Sequence, residues 1–349
     1  MTSHIVGQKK HGNTSLSSSD IQIIGAPEVE AALRGREEDV LDAVKTAYET
    51  HSRGASSLPH SSFLRFPDSD KDRIICLPAY LGEDYQLAGV KWIASVPDNV
   101  ARGIERASAV MILNDRETGR PKAVVEGSII SKQRTAASAA LASKVLAEHE
   151  PKAIGFVGCG PINTAVAQFL AVVWPEVTRF VAFDLDPLRA EALGKELLSF
   201  QPAAQFTNAA SLDDVLSECE MVSFGTTAIA PYVKSLDSSP DGATILHVSL
   251  RDLEAGAILE NHNIVDDLDH VNRAATSIHL ASQQAGNADF VHGSLGDLLL
   301  GRVQPPERDA RKLIFSPFGL GVLDLAVADL VLSALAETSG GTRVPSFLP

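Results

Sequence analysis

Cysteine is scarce in this 349-residue chain: Cys76, Cys159 and Cys219 are scattered, and no two share a metal-ligand spacing. That excludes a disulfide framework or a zinc site as the organising principle, and the thiols read as reduced core residues of a cytoplasmic protein. The histidines offer no metal pair either; His60, His247 and His292 read as structural or exposed. Long apolar runs are missing. No window approaches the ~20 apolar residues of a membrane span. The opening MTSHIVGQKKHGNTSLSSSD has no apolar block of a secretion signal, so residues 1–19 read as a flexible extension. Runs of lysine and arginine are absent too. With 30 Lys+Arg against 44 Asp+Glu the net charge is -14, which disfavours nucleic acid and an anionic membrane as partners. An anionic substrate must then meet arginines placed locally.

What is present is a composition ordinary for a soluble enzyme, in a length that favours two domains over one. REEDVLDAVKTAYETHSRG, 36–54, puts Val40, Leu41, Val44, Ala47 and Tyr48 on one helical face and stops at glycine. The runs RIICLPAYL, LAGVKWIAS, ASAVMILND and KAVVEGSII follow, rich in β-branched residues and parted by turn formers, which predicts an antiparallel meander. From Ala153 the pattern changes. AIGFVG, RFVAFD, MVSFGTT, TILHVSL and NIVDD are apolar strands mostly separated by amphipathic segments, which predicts a parallel sheet with helices on both faces. FGLGVLDLAVADLVLSALAE closes with one long helix. The expected fold class is α/β, a Rossmann-type parallel-sheet domain beside an α+β domain built on an antiparallel sheet, with the boundary near residue 150.

IGFVGCGPINTAVAQFL reads as strand, glycine turn and helix. Gly158 permits the tight turn and Gly160 a close approach of backbone to a pyrophosphate, at a helix N-terminus that favours anions. Gly158, Gly160, Pro161, Ile162 and Asn163 are therefore candidate cofactor contacts. Asn163 stands where a third glycine is expected, at some cost in closeness of packing. Asp184 follows about 20 residues on, at the end of the next strand, where a ribose-binding acid belongs. Asp184 and Asp186 would repel a 2′-phosphate, which favours NAD over NADP.

Ligands of such sheets sit beyond the carboxyl ends of the strands. Thr226 and Thr227 end one strand and are expected to contact cofactor ribose or nicotinamide; Asp252 lies just past another. For Asp252 a helix N-cap or turn role stands equally open. In the first half, Lys91 interrupts an apolar strand and Arg134 begins an alanine-rich helix. Either could hold an anion, a buried lysine because it must find one and an arginine with help from the helix dipole. The plainer alternatives are an exposed strand lysine and a surface ion pair.

GVKWIAS, ERASAVMILNDRETGRPKAVVEGSIISKQRTAASAALA, GFVGCGPIN and SPFGLGVLD together resemble the ornithine cyclodeaminase/μ-crystallin family, over about residues 47–328. RIICLPAYLG, ERAS and SIIS look like its branch that forms 2,3-diaminopropionate for siderophores and peptide natural products. The resemblance implies a homodimer. It also implies a substrate-binding and dimerisation domain of residues 20–148 with 319–349, around an NAD-binding domain of 149–318. Carried over residue by residue, it puts the catalytic roles on Lys91 and Asp252, and substrate-carboxylate binding on Arg134 and Arg65, with Arg106 a further candidate. The implied activity is NAD-dependent oxidation at the C–N bond of a small anionic amino-acid substrate, and no metal is implied. HVSLRD in place of the cyclodeaminases' glycine-rich GGD argues against proline formation. Ornithine cyclodeaminase, ketimine reductase and alanine dehydrogenase of the same family, and a non-catalytic μ-crystallin-like nucleotide or ligand binder, are the alternative readings.

Overall fold

A computed structural model describes residues 19–349 apart from 308 and 339, so the extension expected over 1–19 lies, but for Ser19, outside the described residues. The chain opens with β1 (Ile21–Ile24), α1 (Ala26–Leu33) and α2 (Glu37–Ser52). Val40, Val44, Ala47 and Tyr48 of α2 are buried as the spacing predicts, while Leu41 is only half-buried. Next come β2 (Ser56–Ser57), β3 (Ser62–Phe66), β4 (Ser69–Leu81), β5 (Leu87–Ser95), β6 (Ala107–Asn114) and β7 (Pro121–Glu126). Strands β4 to β7 pair antiparallel in chain order, with Leu77, Lys91 and Met111 in one cross-strand row. The predicted meander is present, but β1 joins its edge parallel to β7, so the sheet is mixed there.

Side chains on a strand alternate between faces. Lys91, Ile93 and Ser95 therefore share one face with their partners Leu77, Arg73 and, one strand further, Arg65. Trp92 and Ile112 share the other, where Trp92 is 42% exposed and no element among the described residues covers it. KAVVEGSII is not one strand. It breaks at Gly127, and α3 (Ser128–Leu146) begins there because the Glu126 carboxylate accepts the N–H groups of Ser128 (2.6 Å) and Ile129 (3.0 Å), filling the role of an N-cap. Ala136, Ala137, Ala139, Ala140 and Ala142 are all fully buried. Their small side chains let α3 lie between α2 on one side and the second sheet on the other.

The second half runs β8 (Ile154–Val157), α4 (Pro161–Val173), β9 (Arg179–Phe183), α5 (Pro187–Phe200), β10 (Gln205–Asn208), α6 (Leu212–Glu218) and β11 (Met221–Phe224). It continues through β12 (Thr244–His247), α7 (Ala255–Leu259), β13 (His262–Val265), α8 (Leu268–Val271) and α9 (Ser277–Ala285). Then follow β14 (Val291–Ser294), α10 (Leu295–Leu299) and β15 (Leu313–Ser316). All eight strands are parallel, in the order β10-β9-β8-β11-β12-β15-β13-β14. The order reverses between β8 and β11, which opens a crevice at their carboxyl ends. Finally α11 (Gly321–Thr338) packs on β4 and β5, and β16 (Thr342–Val344) pairs with β1, returning the chain to the first sheet. Among the described residues no helix is long and apolar enough to cross a membrane.

Candidate active site

The glycine loop lies at the strand-order reversal. Gly158 has φ +79, and a Cβ there would meet the Gly225 carbonyl at 2.9 Å, so a side chain is excluded by both conformation and space. At Gly160, the N-cap of α4, an added Cβ meets nothing within 4 Å: the approach to the helix N-terminus is open. Pro161 loses nothing at the first helical position, and the first-turn N–H groups have no intrahelical acceptor. Asn163 does not loosen the loop as expected. It is fully buried, and its Nδ2 reaches Gly158 O (2.7 Å), Val157 O (3.1 Å) and Ser223 O (3.1 Å), while Oδ1 accepts the Ser223 hydroxyl (2.7 Å). Two hydrogens serve three carbonyls, so one is shared. Room for the amide comes from Gly225, where a Cβ would lie 2.7 Å from Asn163 Cγ. Asp184 Oδ2 accepts the Cys159 N–H (2.7 Å) and Oδ1 the Asp186 N–H (2.9 Å), which ties the acid to the loop it faces. These residues fit a dinucleotide: an open helix N-terminus, a turn with no side chain in the way, and an acid beside it. Burial, then Asp184, pushes the Cys159 thiol up to about 12, so it is inert at neutral pH.

Asp252 is fully buried, and α7 is capped by Glu254, so the N-cap role falls away. Its carboxylate accepts from the hydroxyls of Thr226, Ser249 and, at 3.1 Å, Tyr232. Burial works against ionisation, yet hydrogen bonds from His247, Ser249 and Thr226 hold the carboxyl below its usual range. His247 is fully buried beside it, with Nε2 3.2 Å from both the Asp252 N–H and Oδ2, and Nδ1 3.2 Å from Ser316 Oγ. One nitrogen cannot accept the N–H and donate to the carboxylate at once, so His247 serves one of the two contacts in a given tautomer. Thr226 is thus engaged with Asp252, while Thr227 stays exposed in the same loop. Burial and the neighbouring Asp252 raise the Tyr232 hydroxyl above its normal range, which keeps its proton in place.

Lys91 is 3% exposed, which rules out the solvent-facing alternative. Its Nζ donates to both oxygens of Asp324 on α11, at 2.9 and 2.8 Å, and to Ser131 Oγ at 3.0 Å. Arg134 Nε donates to the same carboxylate at 3.2 Å. Arg134 is the seventh residue of α3, not part of its first turn, so the helix dipole contributes little; its position comes from Asp324 and from Gly319. Gly319 has φ +92, and a Cβ there would lie 2.6 Å from the guanidinium. One buried carboxylate serves two cations, leaving a net positive charge. Burial, opposed by Asp324 and reinforced by Arg134, lowers the Lys91 pKa to about 8.

Further along that face, Arg65 pairs across the strands with Arg73, and Arg73 with Ser95, whose Oγ is 3.5 Å from Arg106 Nη1. Arg251, the neighbour of Asp252 in the other half, feels both Arg65 and Asp252. A cleft of about 430 Å³ separates Phe63 and Arg65 from Asn272, Ala274 and Phe318. Predicted residues therefore fall into four groups: the glycine loop with Asp184, Asp252 with Thr226, Lys91 with Arg134, and Arg65 with Arg106. Among the described residues no hydrogen bond joins Lys91 or Arg134 to Asp252. Asp324, His247, Tyr232, Arg73 and Arg251 were not foreseen. Asp324 left a signal, as the first acid inside the apolar stretch FGLGVLDLAV.

A nucleotide cradle at a strand-order reversal, with buried cations on the neighbouring sheet, is the equipment of an NAD-dependent oxidoreductase that acts on amino-acid C–N bonds. The chain belongs to the ornithine cyclodeaminase/mu-crystallin family, whose model matches residues 23–339. It is similar to N-((2S)-2-amino-2-carboxyethyl)-L-glutamate dehydrogenase of Staphylococcus aureus, 28% identical over 91% of this chain and 96% of that one. Its fold is similar to an archaeal alanine dehydrogenase dimer with bound NAD, with TM-score 0.83, 25% identity and coverage of 93% and 99% of the two chains. It also matches the Thermococcus litoralis Delta(1)-pyrroline-2-carboxylate reductase in complex with NADH and L-proline, with TM-score 0.86, 22% identity and coverage of 93% and 100%.

Proposed function

We propose that this protein catalyses the NAD-dependent oxidative hydrolysis of N-(2-amino-2-carboxyethyl)-L-glutamate to 2-oxoglutarate and L-2,3-diaminopropionate, for a siderophore or peptide natural product. The observation that carries the reading is the unbalanced Lys91–Asp324–Arg134 group on the same sheet face as further arginines, in a chain of net charge -14. A substrate with three carboxylates suits that lining better than one with a single carboxylate, and the S. aureus relative supports the choice. Residues 149–318 hold NAD through Gly158, Gly160, Pro161, Ile162, Asn163 and Asp184, with Thr226 and Thr227 nearby; residues 20–148 and 319–349 hold the substrate.

Bound nicotinamide supplies the acceptor for a hydride from the glutamyl α-carbon. Lys91 and Arg134 grip the adjacent carboxylate, and Arg65 and Arg106 the others. Asp252, ionised at neutral pH, takes the proton from the amine or from the water that adds to the resulting imine. Collapse breaks the C–N bond, so substrate, NAD⁺ and water give 2-oxoglutarate, diaminopropionate, NADH and a proton.

The uncovered sheet face carrying Trp92, Ile112 and Leu64 supports a homodimer formed through it. Free thiols at all three cysteines support a reducing, cytoplasmic setting. The test is NADH formation with the aminocarboxyethyl glutamate, alanine and ornithine side by side. Turnover of the first alone supports the proposal. Turnover of alanine alone establishes the second reading, an alanine dehydrogenase, which the archaeal dimer favours. Silence with all three and tight NAD binding would leave a non-catalytic binder.

A further inference from the structure

Four arginines gather along one side of the cleft, and Asp252, the neighbour of Arg251, is the acid whose charge reaches that arginine. Arg65 and Arg73 are direct cross-strand partners, and Arg73 is the partner of Ser95, which Arg106 contacts. Arg251 comes from the opposite half, held by Nη2 to the Ala274 carbonyl at 2.8 Å. Arg73, Arg106 and Arg251 are half-buried. Burial, then the charges of Arg251, Arg106 and Arg65, holds the Arg73 guanidinium below its usual range; burial, then Arg65, does the same for Arg251 against the opposing charge of Asp252. Among the described residues no carboxylate oxygen lies within ion-pair distance of any of the four, and Arg251 feels Asp252 only from further away. Half-buried like charges repel, and a chain this acidic has no general surplus of arginine to place there. Such a cluster is stable in use only when an anion enters it.

Its position says which anion. Ser95, which marks the arginine row, lies four residues along β5 from Lys91 on the same face, about 13 Å between backbone positions at ~3.3 Å per residue. Two long side chains and one small polycarboxylate fill a gap of that scale. We propose that Arg73 and Arg251, neither assigned a role above, complete with Arg65 a second anion subsite that binds the substrate's distal carboxylate across the cleft. This rests on the proposed function only in assuming a substrate with more than one carboxylate. It makes the two residues specificity determinants that separate a polycarboxylate amine from alanine or proline. Arg251 also ties the substrate to the half that carries Asp252, because the two residues are adjacent.

The test compares 2-oxoglutarate with 2-oxopentanoate, which differ only in a terminal carboxylate against a methyl group. Binding to the NADH-loaded protein is measured by calorimetry for wild type, Arg73→Gln and Arg251→Gln, with Arg73→Lys as a milder variant. Wild type should prefer 2-oxoglutarate by at least about 10-fold. Each glutamine variant should reduce that preference roughly 10- to 100-fold, the worth of one charge-assisted hydrogen bond, with 2-oxopentanoate and NADH binding little changed. Relief of repulsion should leave both variants folded, with a Tm no lower than wild type in the absence of ligand. A wild type without preference, or variants that keep it, overturns the subsite. The preference can collapse in the variants while the aminocarboxyethyl glutamate is not turned over; the subsite then stands and the assigned reaction falls. Turnover with the preference intact in the variants means the reverse.

Discussion

Asp324→Asn isolates the buried cluster that joins α11 to β5 and α3. The wild-type carboxylate is fully buried and holds Lys91 Nζ at 2.8 Å and Arg134 Nε at 3.2 Å. Removing one partner of such a group is expected to cost about 3–5 kcal/mol. The two cations share that cost differently. Lys91 can shed its proton: with a pKa of about 8, leaving as the neutral amine at pH 7 costs about 1–2 kcal/mol. Arg134 has no such exit, and loss of a charged hydrogen bond adds about 1.5–3 kcal/mol. With an unfolding entropy of roughly 0.7 kcal/mol/K for a chain this long, Tm should fall by about 4–7 °C.

The same variant makes a pH prediction of definite sign. The folded pKa of Lys91 lies below its unfolded value of 10.5, so the folded state binds fewer protons. Its burial cost is therefore fully felt below about 8 and relieved as pH rises toward 10.5. In Asp324→Asn the lysine is already neutral at pH 7; near pH 9.5 it is largely neutral in both proteins. The deficit should shrink by roughly 1–2 kcal/mol over that range. Calorimetric unfolding at the two pH values reads it directly. A Tm within about 1 °C of wild type at pH 7, or a deficit that does not change with pH, would refute the electrostatic account.

Asp252→Asn should lower kcat by about 10²–10⁴-fold while NAD affinity stays within about twofold, and near-normal turnover would remove Asp252 from the chemistry. Asn163→Ala strips partners from Ser223 and from the loop carbonyls and opens a void against β11. Chemical denaturation should show a loss of about 2–4 kcal/mol, with weaker NAD binding as the loop slackens. Asp184→Ala should weaken NAD about 10-fold in a fluorescence titration and reduce discrimination against NADP; unchanged binding would reject the ribose assignment. Trp92→Glu places a charge on the uncovered sheet face, and light scattering should then report a monomer. A dimer that survives would place the contact elsewhere.

Much of the architecture is carried by local pattern. β-branched runs parted by turn formers encode the meander from β4 to β7, and apolar strands alternating with amphipathic segments encode most of the parallel sheet. The glycine loop and Asp184 are legible because a tight turn at a helix N-terminus and an acid one strand later are local requirements. Short strands were harder. QFTN, VHGS and LIFS, which form β10, β14 and β15, give too few residues for a period to show, and only sheet pairing makes them strands. The break at Gly127 was hidden because SII is β-branched, and the capping carboxylate of Glu126 decides for helix.

The sequence by itself determined which residues are chemically able to serve. It left Lys91 undecided between solvent and an anion, Arg134 between dipole and ion pair, and Asp252 between cap and base. Tertiary structure buries Lys91 and Arg134 against Asp324, 233 residues from Lys91 in the chain yet hydrogen-bonded to it, and sets the Asp252 carboxylate among hydroxyl donors instead of at a helix N-cap. Arg251 likewise reaches the row of Arg65 and Arg73 from the opposite half. Periodicity states which face of an element is buried; what charge waits on the surface it is buried against depends on how α11 is returned to the first sheet and where the loop after β12 in the second sheet comes to lie, and only the packed chain contains that.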